Sequence, residues 1–204
     1  IVIEGQGIAR GKVVACSSDE IKLWLTPLAG PFPRQRLSAV VGLSRPQTVK
    51  KVLELAAATG LESLHFVSTE RGEKSYLSAT VLQPQNITEH LLLGAEQSGE
   101  SFLPKVYVHT HIKRFLGEHF PLVQVGQDST QPAPVIAFLA DTDVRADCSL
   151  LCHQNFPPPL SAPLWVAIGP EAGWSKEERD LFLERGFKAI SLGPRQLRVE
   201  HALA

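Results

Sequence analysis

From Leu37 onward the sequence alternates apolar, β-branched runs with stretches whose apolar residues recur at helical spacing. This alternation limits the fold more than any other feature. Strands apolar on both faces and separated by helices assemble into a mostly parallel sheet covered by helices, an α/β architecture. Strands are predicted at 38–43, 64–68, 106–109, 135–140, 164–168 and 188–192. Ser44-Arg45-Pro46-Gln47 has the form of a capping box with Pro early in the first turn. Val49, Val52, Leu53, Ala56 and Ala57 follow at helical spacing, and Gly60 suits a C-cap. Asn86-Ile87-Thr88-Glu89 is a second capping box, opening a helix that continues over 91–97 to Ser98-Gly99. A helix is predicted at 112–119. A third capping box, Ser175-Lys176-Glu177-Glu178, opens one that ends at Gly186, and a last helix begins at Gln196.

The first thirty residues differ. Residues 13–16 and 21–26 flank Ser17-Ser18-Asp19 as a β-hairpin, with Gly5, Gly7 and Gly11 among short apolar pieces. A lone hairpin is marginal, so residues 1–30 read as part of a small β-domain. Residues 27–36, with three prolines and two basic residues, read as a linker to a domain over 37–204. The chain begins at Ile1, contains no Met and ends at Ala204 within a helical pattern, as a fragment would.

Twenty basic against 21 acidic residues give a net charge of −1, which excludes nucleic-acid binding by bulk charge alone and leaves a local basic face open. Arg34, Arg36, Arg45, Lys50 and Lys51 form one such loose group near the linker, able to meet phosphate or simply solvated. Apolar stretches such as 164–168 are far too short to span a bilayer, and no basic and apolar leader opens the chain. Three cysteines, an odd number, point to a reducing, cytoplasmic setting. No metal is expected. Cys148, Cys152 and His153 lack the Cys-x-x-Cys spacing, and His109 and His111 have no clear third ligand. A Gly-x-Ser-x-Gly nucleophile elbow is missing, as are a P-loop and a Gly-x-Gly-x-x-Gly dinucleotide turn.

Ligands of such sheets sit beyond the carboxyl ends of strands. Three late loops occupy that position. They are Leu139-Ala140-Asp141, the stretch Ile168-Gly169-Pro170-Glu171-Ala172-Gly173-Trp174, and the stretch Ser191-Leu192-Gly193-Pro194-Arg195-Gln196-Leu197-Arg198. Their glycines let backbone groups approach a ligand closely, and the helix after Ser175 points free N–H groups toward the second loop. An adenine edge could be read by backbone alone. Equally, Gly-Pro-Glu-Ala-Gly is a tight strand-to-helix turn.

The stretch from Ile168 to Glu178, together with Ser191 to Glu200, resembles the C-terminal signature of the bacterial ribosomal RNA methyltransferases that make 3-methyluridine in small-subunit RNA. These belong to the SPOUT superfamily. Glu70-Arg71 after a strand and Glu96-Gln97-Ser98-Gly99 at a helix end add to the likeness, which covers residues 37–204. The sequence departs from the pattern at Ala172, where a second Gly is usual, at Trp174 for Phe, at His201 for Thr, and at Glu100 for a basic residue. The resemblance implies a C-terminal trefoil knot whose loops bind S-adenosylmethionine. It also implies an N-terminal PUA-like β-barrel that helps bind RNA, represented by residues 1–28, and a homodimer with the active site near its interface.

The same resemblance implies site roles. Leu139, Ala140, Ile168, Gly169, Pro170, Glu171, Gly173, Ser191, Leu192, Gly193, Arg195 and Leu197 would form the cofactor site. Arg198 would stabilise charge on a uracil carbonyl or meet a phosphate, and Glu200 would orient Arg198 or accept the N3 proton. Alternatively, Arg198 and Glu200 are a structural pair on the last helix. Glu171 could instead cap its own helix. Glu70, Arg71 and Gln97 would approach the RNA cleft or the partner subunit, or else belong to surface ion pairs, and Arg195 would bind RNA phosphate or lie solvated in its loop. The function implied is methyl transfer from S-adenosylmethionine to uridine N3 in small-subunit ribosomal RNA. The alternatives are another RNA target or a catalytically idle RNA-binding or assembly module.

Overall fold

The computed structural model describes residues 1–33, 36–121, 135–141 and 162–204. The chain opens with three antiparallel strands, β1 (Val2–Ile3), β2 (Gly7–Cys16) and β3 (Ile21–Ala29). The hairpin expected from the sequence is present but longer. Pro27, assigned to the linker, lies within β3, an edge strand where its missing N–H removes no ladder bond to a further neighbour. Val13, Val14, Ile21 and Trp24 of this hairpin are exposed.

The rest of the described chain is built around six strands. These are β4 (Leu37–Gly42), β5 (Ser63–Val67), β6 (Lys105–His109), β7 (Ile136–Ala140), β8 (Leu164–Ile168) and β9 (Lys188–Ile190). They lie in the order β6-β5-β4-β8-β7-β9, and every pairing is parallel. Five helices complete the set: α1 (Pro46–Ala58), α2 (Pro84–Ser98), α3 (Ile112–His119), α4 (Lys176–Glu184) and α5 (Val199–Leu203), with short 3-10 turns at Lys74–Ser78 and Thr80–Leu82.

Period-two alternation divides the sheet between two cores. Ala39, Val41, Leu64, Phe66, Phe138 and Ala140 face one side, against Val49, Val52, Leu53 and Ala56 of α1, Leu91 and Ala95 of α2, and Val199 of α5. Val40, Val67, Ala137, Leu139 and Ala167 face the other, against Phe115 and Leu116 of α3 and Phe182 of α4. α1 and α2 approach so closely at Gly94 that any Cβ there would overlap the backbone of Glu54.

Two of the three predicted capping boxes do not form. α1 begins at Pro46 with Arg45 as N-cap, while the Ser44 hydroxyl donates back to the Gly42 carbonyl at 2.9 Å. α2 begins two residues before Asn86, at Pro84. Asn86 is therefore inside the helix, its side-chain amide donating to the Thr80 carbonyl. In both places proline supplies the first helical residue, where its missing N–H costs nothing. The third box is complete: the Ser175 hydroxyl accepts the Glu178 N–H while the Glu178 carboxylate accepts the Ser175 N–H.

Candidate active site

Because β8, β7 and β9 are neighbours and parallel, their carboxyl ends open on the same edge of the sheet. The three loops marked in the sequence therefore converge. With the first turns of α1 they enclose a cleft of 920 Å³. Ala140, Ile168, Gly169, Pro170, Glu171, Gly173, Ser191, Leu192, Gly193, Arg195, Leu197, Arg198 and Glu200 all line it. Leu139 does not. Its side chain is buried in the second core, one residue before the strand end that reaches the cleft.

The loop after β8 is held from several directions. Gly173 donates to the Pro170 carbonyl at 2.8 Å and has φ +69°, a left-handed conformation that favours glycine. Pro170 packs on the end of β4, where a Cβ on Gly42 would overlap its ring. The Glu171 carboxylate reaches across to α1. Its Oε1 accepts the Arg45 N–H at 3.3 Å and the Thr48 hydroxyl at 2.7 Å. Glu171 thus ties down the N-terminus of α1 and not that of its own helix, α4, by accepting the N–H of the N-cap residue Arg45. Behind the loop Trp174 is buried, its ring 4.9 Å from that of Phe182.

Glu70 and Arg71, which follow β5, brace this loop from outside the cleft. Arg71 donates to the Ala172 carbonyl at 3.3 Å. The Glu70 N–H donates to the buried carboxylate of Glu178 at 2.7 Å, and Glu70 lines a second, smaller hollow beside Thr110 and Lys113. Gln97 lies exposed on α2 and lines neither hollow.

The loop after β9 turns on Ser191, whose hydroxyl accepts the Gly193 N–H at 3.2 Å, with Gly193 at φ +124°. Asp141, after β7, pairs with Arg179 of α4 at 3.2 Å. Arg195 and Arg198 are exposed at the cleft, and their guanidinium groups make no hydrogen bond or ion pair among the described residues, although the Arg198 carbonyl accepts the Ala202 N–H at 2.9 Å. Arg198 is the N-cap of α5. Glu200 pairs not with Arg198 but with Lys51 of α1, at 3.1 Å. A backbone hydrogen bond at the start of α5, and then Lys51, hold its carboxyl below the usual carboxylate range.

The sequence did not single out Gln47 or Thr48 as parts of this site, and it named Arg45 and Lys51 only as a loose basic group; all four line the cleft. Their side of α1 is marked only by polar residues between the core positions, a pattern common to any surface helix. Away from the cleft, His65 and His109 join through ring nitrogens 3.0 Å apart, and His65 also meets the Ser63 hydroxyl at 3.0 Å. Burial, with His119 and His109 nearby, pushes His65 down to about 3. Burial, with His119, also lowers His109. Among the described residues no group of three His, Cys, Asp or Glu side chains could hold a metal ion, and Cys148, Cys152 and His153 lie outside them. Among the described residues no helix is long and apolar enough to cross a membrane.

Comparison with known proteins places this geometry. The family profile described as "RNA methyltransferase domain" matches residues 31–204. The chain is 31% identical over 172 residues to the Ribosomal RNA small subunit methyltransferase E of Treponema pallidum, covering 81% of this chain and 58% of that protein. It is 24% identical over 168 residues to the Ribosomal RNA small subunit methyltransferase E 1 of Borreliella burgdorferi, covering 82% of this chain and 63% of that one. The chain thus spans about three-fifths of the length of these relatives. Among solved structures, the Neisseria gonorrhoeae Ribosomal RNA small subunit methyltransferase E bound to S-adenosyl methionine superposes with a TM-score of 0.74 at 18% identity. That match covers 98% of this chain and 77% of the other, and shows a shared fold.

Proposed function

The chain belongs to the RNA methyltransferase domain family, and from that premise we propose that it transfers a methyl group from S-adenosylmethionine to N3 of a uridine in small-subunit ribosomal RNA. The observation that carries this reading is the convergence of the three late loops in one cleft. The naming of the Treponema and Borreliella relatives supports the substrate class, and the ligand of the Neisseria protein supports the methyl donor.

The cleft fits such a donor. Gly169, Gly173 and Gly193 leave its lining open to backbone hydrogen bonds, and Pro170 and Leu192 offer apolar contact. S-Adenosylmethionine supplies an electrophilic methyl on a sulfonium centre. The residues of the chain must do the rest: hold the uracil in line, and stabilise negative charge as N3 loses its proton. Arg198, unpaired and at the rim, suits that electrostatic role. Arg195 suits an RNA phosphate, a planar guanidinium matching phosphate oxygens well. Glu200 stands two residues from Arg198, to orient it or take the proton. Glu70, Arg71 and Gln97 belong to the proposed RNA face, Glu70 and Arg71 also bracing the cofactor loop. The division into a PUA-like part over 1–30 and a methyltransferase part over 37–204, the trefoil knot, the homodimer and the cytoplasmic setting belong to the same proposal.

Calorimetric titration with S-adenosylmethionine, followed by mass spectrometry of small-subunit RNA treated with the protein, tests it. Micromolar binding and 3-methyluridine are expected. Binding with methylation at another base would change the target, and RNA binding without methyl transfer would make this a catalytically idle module.

A further inference from the structure

α1 packs one face into the core and turns another to the cleft. On that second face Arg45, Thr48 and Lys51 follow one another at intervals of three, so they lie together. The face grips both ligand loops. Its upper end holds Glu171 of the β8 loop, and Lys51, a turn further on, holds Glu200 of α5 at 3.1 Å.

The Glu200 side chain is only 12% exposed, although its partner Lys51 is 55% exposed. Glu200 directly follows Val199, which is buried in the core beneath α1. The first turn of α5 is therefore fixed twice, by Val199 packing inward and by Glu200 held from α1. Arg198, one residue before, starts from that fixed point with its guanidinium uncommitted. A carboxylate that already holds an ammonium group has a weakened hold on any further proton. It is also kept from the nearby Arg198, which it would otherwise neutralise.

We propose that Lys51 is a positioning residue of the methyl-transfer site: by occupying Glu200 it keeps Arg198 free and fixes the helix start from which Arg198 reaches the uracil, so that Glu200 is not the proton acceptor. This rests on the reading of Arg198 given above. Lys51 is more than half exposed, so solvent screens its side of the pair; the pair adds only modestly to stability and its larger effect falls on turnover.

The test compares the wild-type protein with Lys51→Met, Glu200→Gln, these two combined, Lys51→Glu, Glu200→Lys and the double exchange Lys51→Glu with Glu200→Lys. Methylation of small-subunit RNA gives kcat and KM, and calorimetry gives the S-adenosylmethionine Kd. Loss of Arg198 placement lowers kcat about tenfold in Lys51→Met and in Glu200→Gln, with Kd nearly unchanged, since small misplacements near a reacting centre cost up to about a hundredfold. Their combination costs little more than either alone, because the two act as one unit. Each single charge reversal is worse, and the double exchange recovers at least about tenfold over either, short of wild type because a cation is disfavoured in the first turn of α5. Complete loss in Glu200→Gln beside full activity in Lys51→Met overturns the proposal and makes Glu200 the proton acceptor. Absence of rescue by the exchange, or silence of every variant, also overturns it. A wild-type protein that does not methylate RNA at all overturns the reading beneath it as well.

Discussion

The carboxylate of Glu178 accepts the Glu70 N–H at 2.7 Å across 108 residues of chain and, through its other oxygen, the Ser175 N–H at 2.8 Å. One buried side chain thus caps α4 and ties the loop after β5 to the loop after β8. Removing it strands two backbone donors in a place where water has little access. Glu178→Ala is expected to lower stability by about 2–4 kcal/mol, from a lost cap and unsatisfied donors together. Urea unfolding measures this, and a loss below about half a kcal/mol would show that the loops are held by other means.

Arg198→Ala is expected to lower methyl transfer at least about a hundredfold, the scale of losing one preorganised electrostatic contact. The S-adenosylmethionine affinity should change less than about threefold, since the proposed cofactor site would hold its ligand mainly through backbone groups. Single-turnover methylation beside calorimetry separates the two. Full activity in this variant removes Arg198 from the mechanism.

Glu171 offers a graded comparison. In Glu171→Gln a side-chain oxygen can still accept from Arg45 and Thr48, whereas Glu171→Ala leaves the N-terminus of α1 untied. Ala is expected to cost about 1 kcal/mol of stability and to weaken S-adenosylmethionine binding several-fold, with Gln near wild type in both. If Gln binds the cofactor as poorly as Ala, the charge of Glu171 meets the ligand directly.

The histidine pair sets a pH dependence. His65 is pushed down to about 3 and His109 is lowered, so between those values and the ordinary histidine range the unfolded chain binds more protons than the folded one. Stability should therefore be fully present above about pH 6.5 and fall as the pH drops toward 3, by up to about 1.4 kcal/mol per pH unit for His65 alone. Unfolding curves from pH 7 to 4 measure the slope. His65→Gln should flatten it, and an unchanged slope in that variant would assign the effect elsewhere.

Gly42 is tested by Gly42→Ala, whose Cβ would overlap Pro170. Because β4 is paired with β5 through Gly42 and with β8 through Val41, the loop must yield instead. A loss of about 1–3 kcal/mol in stability is expected from such overpacking, with S-adenosylmethionine bound at least several-fold more weakly. An unchanged affinity would mean that Pro170 is not held against the ligand site by β4.

The strands were legible because their burial on both faces leaves nearly continuous apolar runs, as in Ala39-Val40-Val41 and Leu64 to Val67. Their order was not, since nothing in β4 and β8 taken singly says that they pair. The α4 cap was legible because Ser175 and Glu178 satisfy one another three residues apart. The tie at the N-terminus of α1 was not, because its acceptor, Glu171, lies 126 residues from Arg45. The loops of the cleft announced themselves through glycine and proline. Thr48 did not announce itself, and Lys51 stood out only as one charge in a loose basic group: on a helix surface such residues look alike until a partner is placed opposite. The same holds for His65, whose partner His109 is 44 positions away.

Helix α1 belongs to the hydrophobic interior on one side and to the cleft on the other. The glycine turns after β8 and β9 are consequently not portable: moved to another scaffold without this helix, they would keep their bends and lose their bearings. The pocket is a property of the whole sheet-and-helix sandwich, and substitutions that loosen α1 deep in the interior should reach the chemistry without touching it.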